Sequence, residues 1–249
     1  MIGSIVILVL IGAAVIDIFL MAIYCRIMEK LDNKRKVKRD RHAESVDDNY
    51  GNTVSVNKTS VIKKTTLFIM DHFLYGLMRY SVLLTGKIPS GHIRNWIYRF
   101  IFNMKITKKT VIYGGCEIRS PWNFHADNCV ISNNCILDCR NGITIGENVV
   151  FGGGVHVWTE QHDINSPTFQ VTSRNRGPVV IDDRAWICSD TTILPNIHIG
   201  EGAVLASRAC ATKNLDSFSV YAGIPAKKIS ERNHDLVYEL TGKAHWHFY

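Results

Sequence analysis

None of the seven cysteines belongs to a CxxC pair. Most cysteine-based zinc sites and dithiol redox motifs need that spacing, so neither chemistry is expected, and no metal is. The number of cysteines is odd. Cys116, Cys129 and Cys135 fall just before apolar repeat positions, where a small buried thiol fits a narrow coil. Free thiols in a reducing compartment are therefore the expectation. The N-terminus lacks the parts of a signal peptide: a basic start, a short apolar core and a small-residue cleavage site. Also missing is a basic surface interleaved with aromatics, so nucleic acid is not an expected partner. The net charge of +7 is concentrated instead: residues 26–41 hold eight basic residues against three acids.

The chain opens on 23 apolar positions, residues 2–24, interrupted only by Asp17. That length predicts a transmembrane helix over residues 1–25, and the basic cluster behind it predicts a single-pass inner-membrane anchor with the remainder in the cytoplasm. Residues 26–65 read as a basic and polar linker, and 66–104 as a helical membrane-proximal segment. Within it Ser90 is a plausible N-cap, and Ile93, Trp96, Ile97, Phe100 and Ile101 form a helical apolar stripe. Such a helix either caps a core or lies on a membrane surface. At the other end, Asn233 and Gly242 bracket a predicted short helix, and the aromatic tail to Tyr249 is expected to pack.

Between these ends the sequence is organised on a period of six. Ile181, Ile187, Ile193, Ile199, Leu205 and Ala211 are spaced by it, which neither a helix nor a single strand produces. A repeat that outlasts any one element marks a solenoid with one shared core. Three flat faces per turn, one inward apolar side chain on each, make a parallel β-helix, and Asn196, Gly200 and Gly202 can supply its corners. The same step runs from Ile112 through Ile118, Phe124, Val130 and Ile136. It slips by three across residues 138–144 and resumes at Ile145, Phe151 and Val157. The solenoid is thus expected over 105–232, in a mainly β chain. Residues 158–178 break the pattern and rejoin it in phase, and long excursions of this kind more often carry function than not. This one holds His162, beside Asp163.

The hexapeptide coils, the His-bearing excursion and the stretches AWICSDTTILPNIHIGEGAVLASRACATKN and YAGIPAKKI resemble the left-handed β-helix (hexapeptide-repeat) acyltransferases. Residues 110–232 are similar to the galactoside, maltose, nodulation-type and polysaccharide O-acetyltransferases. The resemblance implies a homotrimer that binds acetyl-CoA in a groove between neighbouring coils and acetylates a saccharide, here a surface polysaccharide or a lipid-linked glycan intermediate. His162 matches the general base, and Ser189 the position whose backbone N–H meets the oxyanion. Trp186 and Ser207 match positions along the pantetheine. Lys213 matches the lysine at the nucleotide end, with Lys227, Lys228 or Arg232 near the 3′-phosphate. Asp138, Asn133, Asn134 and Asp163 stand where acceptor-binding residues are expected. Cys188, the pair Ser207–Arg208 and Asn214 depart from the family pattern, which bears on donor contacts more than on reaction class. Two other readings share the fold: a non-catalytic subunit of a glycan-assembly complex, and a γ-carbonic-anhydrase-like zinc site using histidines such as His125, His156, His162 and His198.

Overall fold

The structure, a computed structural model, describes residues 2–43, 58–171 and 175–242. It divides into two compact units, residues 1–80 and 81–249.

The first unit holds helix α1, Ile2–Ala43, and most of helix α2, Lys58–Gly86. Met21, Tyr24, Cys25 and Met28 are buried at helical spacing on one side of α1. The Tyr24 hydroxyl donates to Asp71 of α2 at 3.1 Å, and burial together with that carboxylate pushes the phenol's pKa up. These observations correct the sequence reading of the N-terminus. The apolar run is the first half of a longer helix that continues through the basic cluster, so of the expected linker 26–65, residues 26–43 and 58–65 are helix, and 44–57 lie outside the described residues. From Met21 onward its buried side packs within the protein. Among the described residues no helix is long and apolar enough to cross a membrane, and the anchor, with the localisation built on it, is not upheld.

The second unit is the solenoid with its helical entry. Its coils wind through three flat faces. Face 1 stacks Lys105–Ile106, Phe124–Ala126, Ile143–Ile145, Val179–Ile181 and His198–Ile199. Face 2 stacks Val111–Ile112, Val130–Ile131, Val150–Phe151, Trp186–Ile187, Val204–Leu205 and Ser219–Ala222, and ends on the antiparallel strand Lys227–Glu231. Face 3 stacks Glu117–Arg119, Ile136–Asp138, His156–Val157, Thr192–Ile193 and Cys210–Ala211. Every strand pairing is parallel except that of Ser219–Ala222 with Lys227–Glu231.

Register places like residues on like. Ile112, Ile131, Phe151, Ile187 and Leu205 form one inward column, and Ile118, Leu137, Val157, Ile193 and Ala211 another. All ten are buried to within 1%. Each large aliphatic side chain so buried contributes about 1.5–3 kcal/mol. Val130 and Ile136, expected inside, are partly exposed, and Ile131 and Leu137 replace them. The six-residue step fails there because the lower coils carry one or two extra corner residues. Ile112 to Ile131 is nineteen positions, against eighteen from Ile187 to Leu205. The corners turn on left-handed residues such as Asn196 and Gly202, as expected, whereas Gly200 has no positive φ. All seven cysteines are free and five are buried. Burial pushes the Cys129 thiol up to about 12, so it fills space as a protonated, nearly apolar group.

Helix α3, Gly91–Phe100, begins at Ser90, whose side chain accepts from the Ile93 N–H. Its apolar stripe divides between core and solvent, with Ile101 buried and Ile97 partly so. Arg94 and Tyr98 are buried, while Ile93, Trp96 and Phe100 are about half exposed. Arg94 turns inward because its guanidinium donates to the carbonyls of Ile88 and Ile112.

Residues 233–242 are not a helix. They run as an extended strap down the edge between faces 1 and 2. The His234 ring stacks on Phe218, the Tyr238 hydroxyl lies 3.0 Å from Arg184 O and 3.2 Å from Asn148 O, and Leu240 N–H donates to Asn148 Oδ1 at 2.8 Å. Corner carbonyls outside the strand ladders take the place of helical partners. Tyr238→Phe is expected to lower unfolding stability by about 1 kcal/mol, measured by denaturant titration. The tail from residue 243, expected to pack, lies outside the described residues.

Candidate active site

Two edges of the solenoid carry the residues singled out in the sequence. The edge between faces 2 and 3 turns on Gly115, Asn134, Gly154, Asp190 and Arg208, all with positive φ. Asn133, Asn134, Ser189 and Ser207 stand exposed along it, one above another, and the half-exposed Trp186 lies on face 2 beside them. One feature of this edge is open only because of a glycine. A Cβ on Gly152 would sit 2.5 Å from Ser189 N, and nothing in the protein accepts from that N–H among the described residues. The amide therefore remains accessible as a donor.

The excursion leaves from the edge between faces 3 and 1. Its two ends pair with each other. Gln161 N–H donates to Asn175 O at 2.8 Å, Gly177 N–H to Thr159 O at 2.9 Å, and Glu160 bridges Arg176 antiparallel. Asn196 Nδ2 holds Arg176 O at 3.0 Å from the coil above. From the coil below, Arg140 forks onto the Asp138 carboxylate, Nε to Oδ1 at 2.7 Å and Nη2 to Oδ2 at 2.8 Å, and reaches Glu160 with Nη1. Asn141 adds bonds to Glu160 Oε2 and Thr159 O, and the Thr159 hydroxyl donates to Asp138 O at 2.7 Å. Asp138 is fully buried, so its charge is compensated by the bidentate Arg140 and not by solvent. Trp158, at the start of the excursion, has the Arg119 guanidinium 5.1 Å above its ring.

His162 stands beyond this neck. Its ring stacks on Phe169, with centroids 4.1 Å apart and planes 8° from parallel, and Nδ1 lies 2.6 Å from Phe169 O. A carbonyl can only accept. In the neutral ring the proton must therefore sit on Nδ1, leaving the Nε2 lone pair open. Asp163 does not orient the ring. Its carboxylate caps a turn by accepting from Asn165 N–H at 2.9 Å.

The other expected positions lie elsewhere. Lys213 and Lys227 are exposed near the upper end of the coils, and Lys228 pairs with Glu231 at 2.6 Å. Arg232 is folded against the edge between faces 1 and 2, donating to Arg184 O at 2.9 Å and Gly202 O at 3.0 Å, so its guanidinium is engaged by backbone. His125 and His198 face outward from face 1 and His156 lies on face 3, so one protomer does not gather them with His162.

No protein-family model matches the chain. It is 32% identical over 133 residues to the colanic acid biosynthesis acetyltransferase WcaF of Escherichia coli K12, covering 53% of this chain and 71% of that protein. The chain belongs to the hexapeptide-repeat acetyltransferases. A lipopolysaccharide biosynthesis O-acetyl transferase of the same organism, WbbJ, is 26% identical over 121 residues, spanning 45% of this chain and 62% of WbbJ. Among solved structures, the hexapeptide-repeat acetyltransferase VCA0836 of Vibrio cholerae, complexed with acetyl-CoA, has the same fold. Its TM-score is 0.57 at 20% identity, over 66% of this chain and 90% of that one. A maltose O-acetyltransferase from Clostridium difficile 630 gives 0.53 at 23% identity, over 63% and 87%.

Residue types alone did not reveal Arg140, Glu160, Asn141, Gly152 or Phe169. Arg140 and Glu160 are twenty positions apart, which is one lower coil, so a coil-by-coil alignment would have placed them side by side.

Proposed function

We propose that the protein transfers the acetyl group of acetyl-CoA to a hydroxyl of a saccharide, as a homotrimer of left-handed β-helices. The observation that carries the reading is the ring of His162, whose Nδ1–H is fixed by Phe169 O and whose Nε2 is left to accept a proton. A sugar hydroxyl is a poor nucleophile until it loses its proton. Nε2 removes that proton as the oxygen attacks the thioester carbonyl. The negative charge passes to the carbonyl oxygen, where Ser189 N–H donates to it. Collapse of the intermediate breaks the C–S bond, and the imidazolium returns its proton to the departing thiolate, releasing CoA and the O-acetyl sugar.

His162 and the edge bearing Ser189 lie on different edges of one solenoid, and the ring's own partners are all within the excursion. We therefore place the reacting groups between protomers, with His162 of one facing the Gly152–Ser189 edge of the next. Trp186 and Ser207 line the pantetheine on that edge, and Lys213, Lys227 and Lys228 meet the nucleotide end. Asn133 and Asn134 lie at its lower, acceptor end. Asp138 and Asp163 support the excursion from within, and Arg232 is a structural clasp. The named functions of WcaF and WbbJ, in colanic acid and lipopolysaccharide biosynthesis, support a saccharide acceptor.

The test incubates purified protein with acetyl-CoA and a panel of oligosaccharides, reading free thiol and the mass of the sugar. Acceptor-dependent thiol release with gain of an acetyl group is expected, and thiol release that no saccharide stimulates would contradict it. Trp186→Ala is expected to raise KM for acetyl-CoA about tenfold with little change in kcat, since one half-exposed aromatic contact is lost from donor and transition state alike.

A further inference from the structure

The edge between faces 2 and 3 has a concavity at its lower end, to which the proposed donor contacts do not extend. The stretch Gly86–Pro89, joining α2 to α3, stands across from Gly114, Gly115, Asn133 and Asn134 and borders an open concavity of about 310 Å³. That volume is at the small end of the range for ligand pockets. The wall is built rather than incidental. Lys87 and Ile88 N–H groups donate to Leu84 O and Thr85 O at 3.0 Å each, Arg94 grips the Ile88 carbonyl from behind, and α3 is capped at Ser90. Gly86 lies close enough to the Gly115 backbone that a Cβ there would be 3.4 Å from Gly115 N.

The charge of this place is one-sided. Lys87 stands exposed on the rim, and no carboxylate is among the lining residues. Behind the wall, Arg94 is 3% exposed, its bonds go to two carbonyls, and its Nε has no partner among the described residues. A buried guanidinium offset only by carbonyl dipoles leaves a positive field in a region of low dielectric. On the floor, two asparagine amides offer both donors and acceptors, the complement of vicinal hydroxyls.

We propose that this cavity is the acceptor subsite and selects a saccharide carrying an anionic group, a carboxylate or a phosphate, with Lys87 as the residue that reads the charge. The proposal rests on the reading of this edge as the one that faces His162. It adds the charge of the acceptor and the linker residue that selects it, neither of which follows from the reaction.

The experiment measures binding of D-glucuronate, glucose 1-phosphate and glucose to the full chain by ligand-observed NMR, without acetyl-CoA. At least one anionic sugar is expected to bind about tenfold more tightly than glucose, the scale of one charge-assisted contact, and which of the two binds better identifies the anion. Lys87→Gln is expected to remove the preference with no change in melting temperature, and Lys87→Glu to turn it toward glucosamine. Equal binding of the three sugars, or a preference that survives Lys87→Gln, would overturn the proposal. His162→Ala serves to separate the two claims. An anion preference that depends on Lys87 and persists in His162→Ala upholds the subsite even if no saccharide is ever acetylated, and in that case the proposed reaction fails alone.

Discussion

Replacing His162 with alanine is expected to lower kcat for saccharide acetylation by about 10²–10⁴, the range typical of a general base. The affinity for acetyl-CoA should be unchanged, because no donor contact is assigned to the ring. The melting temperature should also hold. The side chain is exposed and its contacts, the stack on Phe169 and the bond to Phe169 O, lie within one loop. Steady-state kinetics with thiol detection, beside a thermal melt, checks all three. A variant that retains more than a tenth of the wild-type kcat would remove His162 from the reaction. A His162→Asn variant sharpens the case: it keeps a donor toward Phe169 O but offers no lone pair of comparable basicity, so it should be as slow as alanine.

Arg140→Met is expected to lower stability by about 2–4 kcal/mol and kcat along with it. Removing one partner of a buried ion pair leaves the other uncompensated, and Asp138 has no access to water. The expected figure sits below the full range for buried pairs because the Arg140 side chain is 35% exposed. Adding Asp138→Asn removes the stranded charge and should recover most of the stability. It should not recover the rate, because Glu160 at the excursion's neck still lacks the guanidinium that ties it to the coil below. Denaturant titrations of the two single variants and the double variant give the coupling. If Asp138→Asn fails to restore stability, or restores the rate as well, the account of this network is wrong.

Much of the solenoid was legible because its core writes itself into the sequence. A side chain that must be small enough for a triangular coil and apolar enough to stack on the next recurs at six, and Ile181 through Ala211 do so without a break. The reading faltered at Val130 and Ile136 because spacing cannot reveal where a corner holds an extra residue. Only the pairing of Ile112 with Ile131 shows it. The helices were misread for a related reason. Hydropathy reports that a segment avoids water but not what it meets instead, so the apolar start of α1 read as a membrane span although Met21, Tyr24, Cys25 and Met28 are buried within the protein. The stripe on α3 is divided for a similar reason. Arg94 found two carbonyls to satisfy it, and the aromatic side was left facing out. Asn233 and Gly242 carry helix-end signals, yet the corner carbonyls at Asn148 and Arg184 captured the segment as an extended strap.

Family likeness picks out His162, Trp186, Ser189 and Ser207 in the sequence, and the break in period picks out the excursion, which leaves from the edge between faces 3 and 1. Partners made by stacking were out of reach. The likeness places Asp138 among the acceptor positions, while its burial and its bidentate partner Arg140, two residues away, are written in no spacing. Phe169 was overlooked altogether, since nothing periodic connects a loop residue to the ring it covers. The accessibility of Ser189 N–H likewise depends on what is missing one coil below, at Gly152.

The central claim is that the reacting groups meet between protomers, and subunit mixing tests it most directly. His162→Ala lacks the base, and Gly152→Ala places a methyl group against Ser189 N. Each variant alone should be inactive. Mixed oligomers, co-expressed with two affinity tags and purified through both, should regain acetyl transfer, because some interfaces then pair an intact His162 with an intact Ser189 edge. Mixed oligomers that form but stay as inactive as their parents would contradict a shared site and place the whole reaction within one chain.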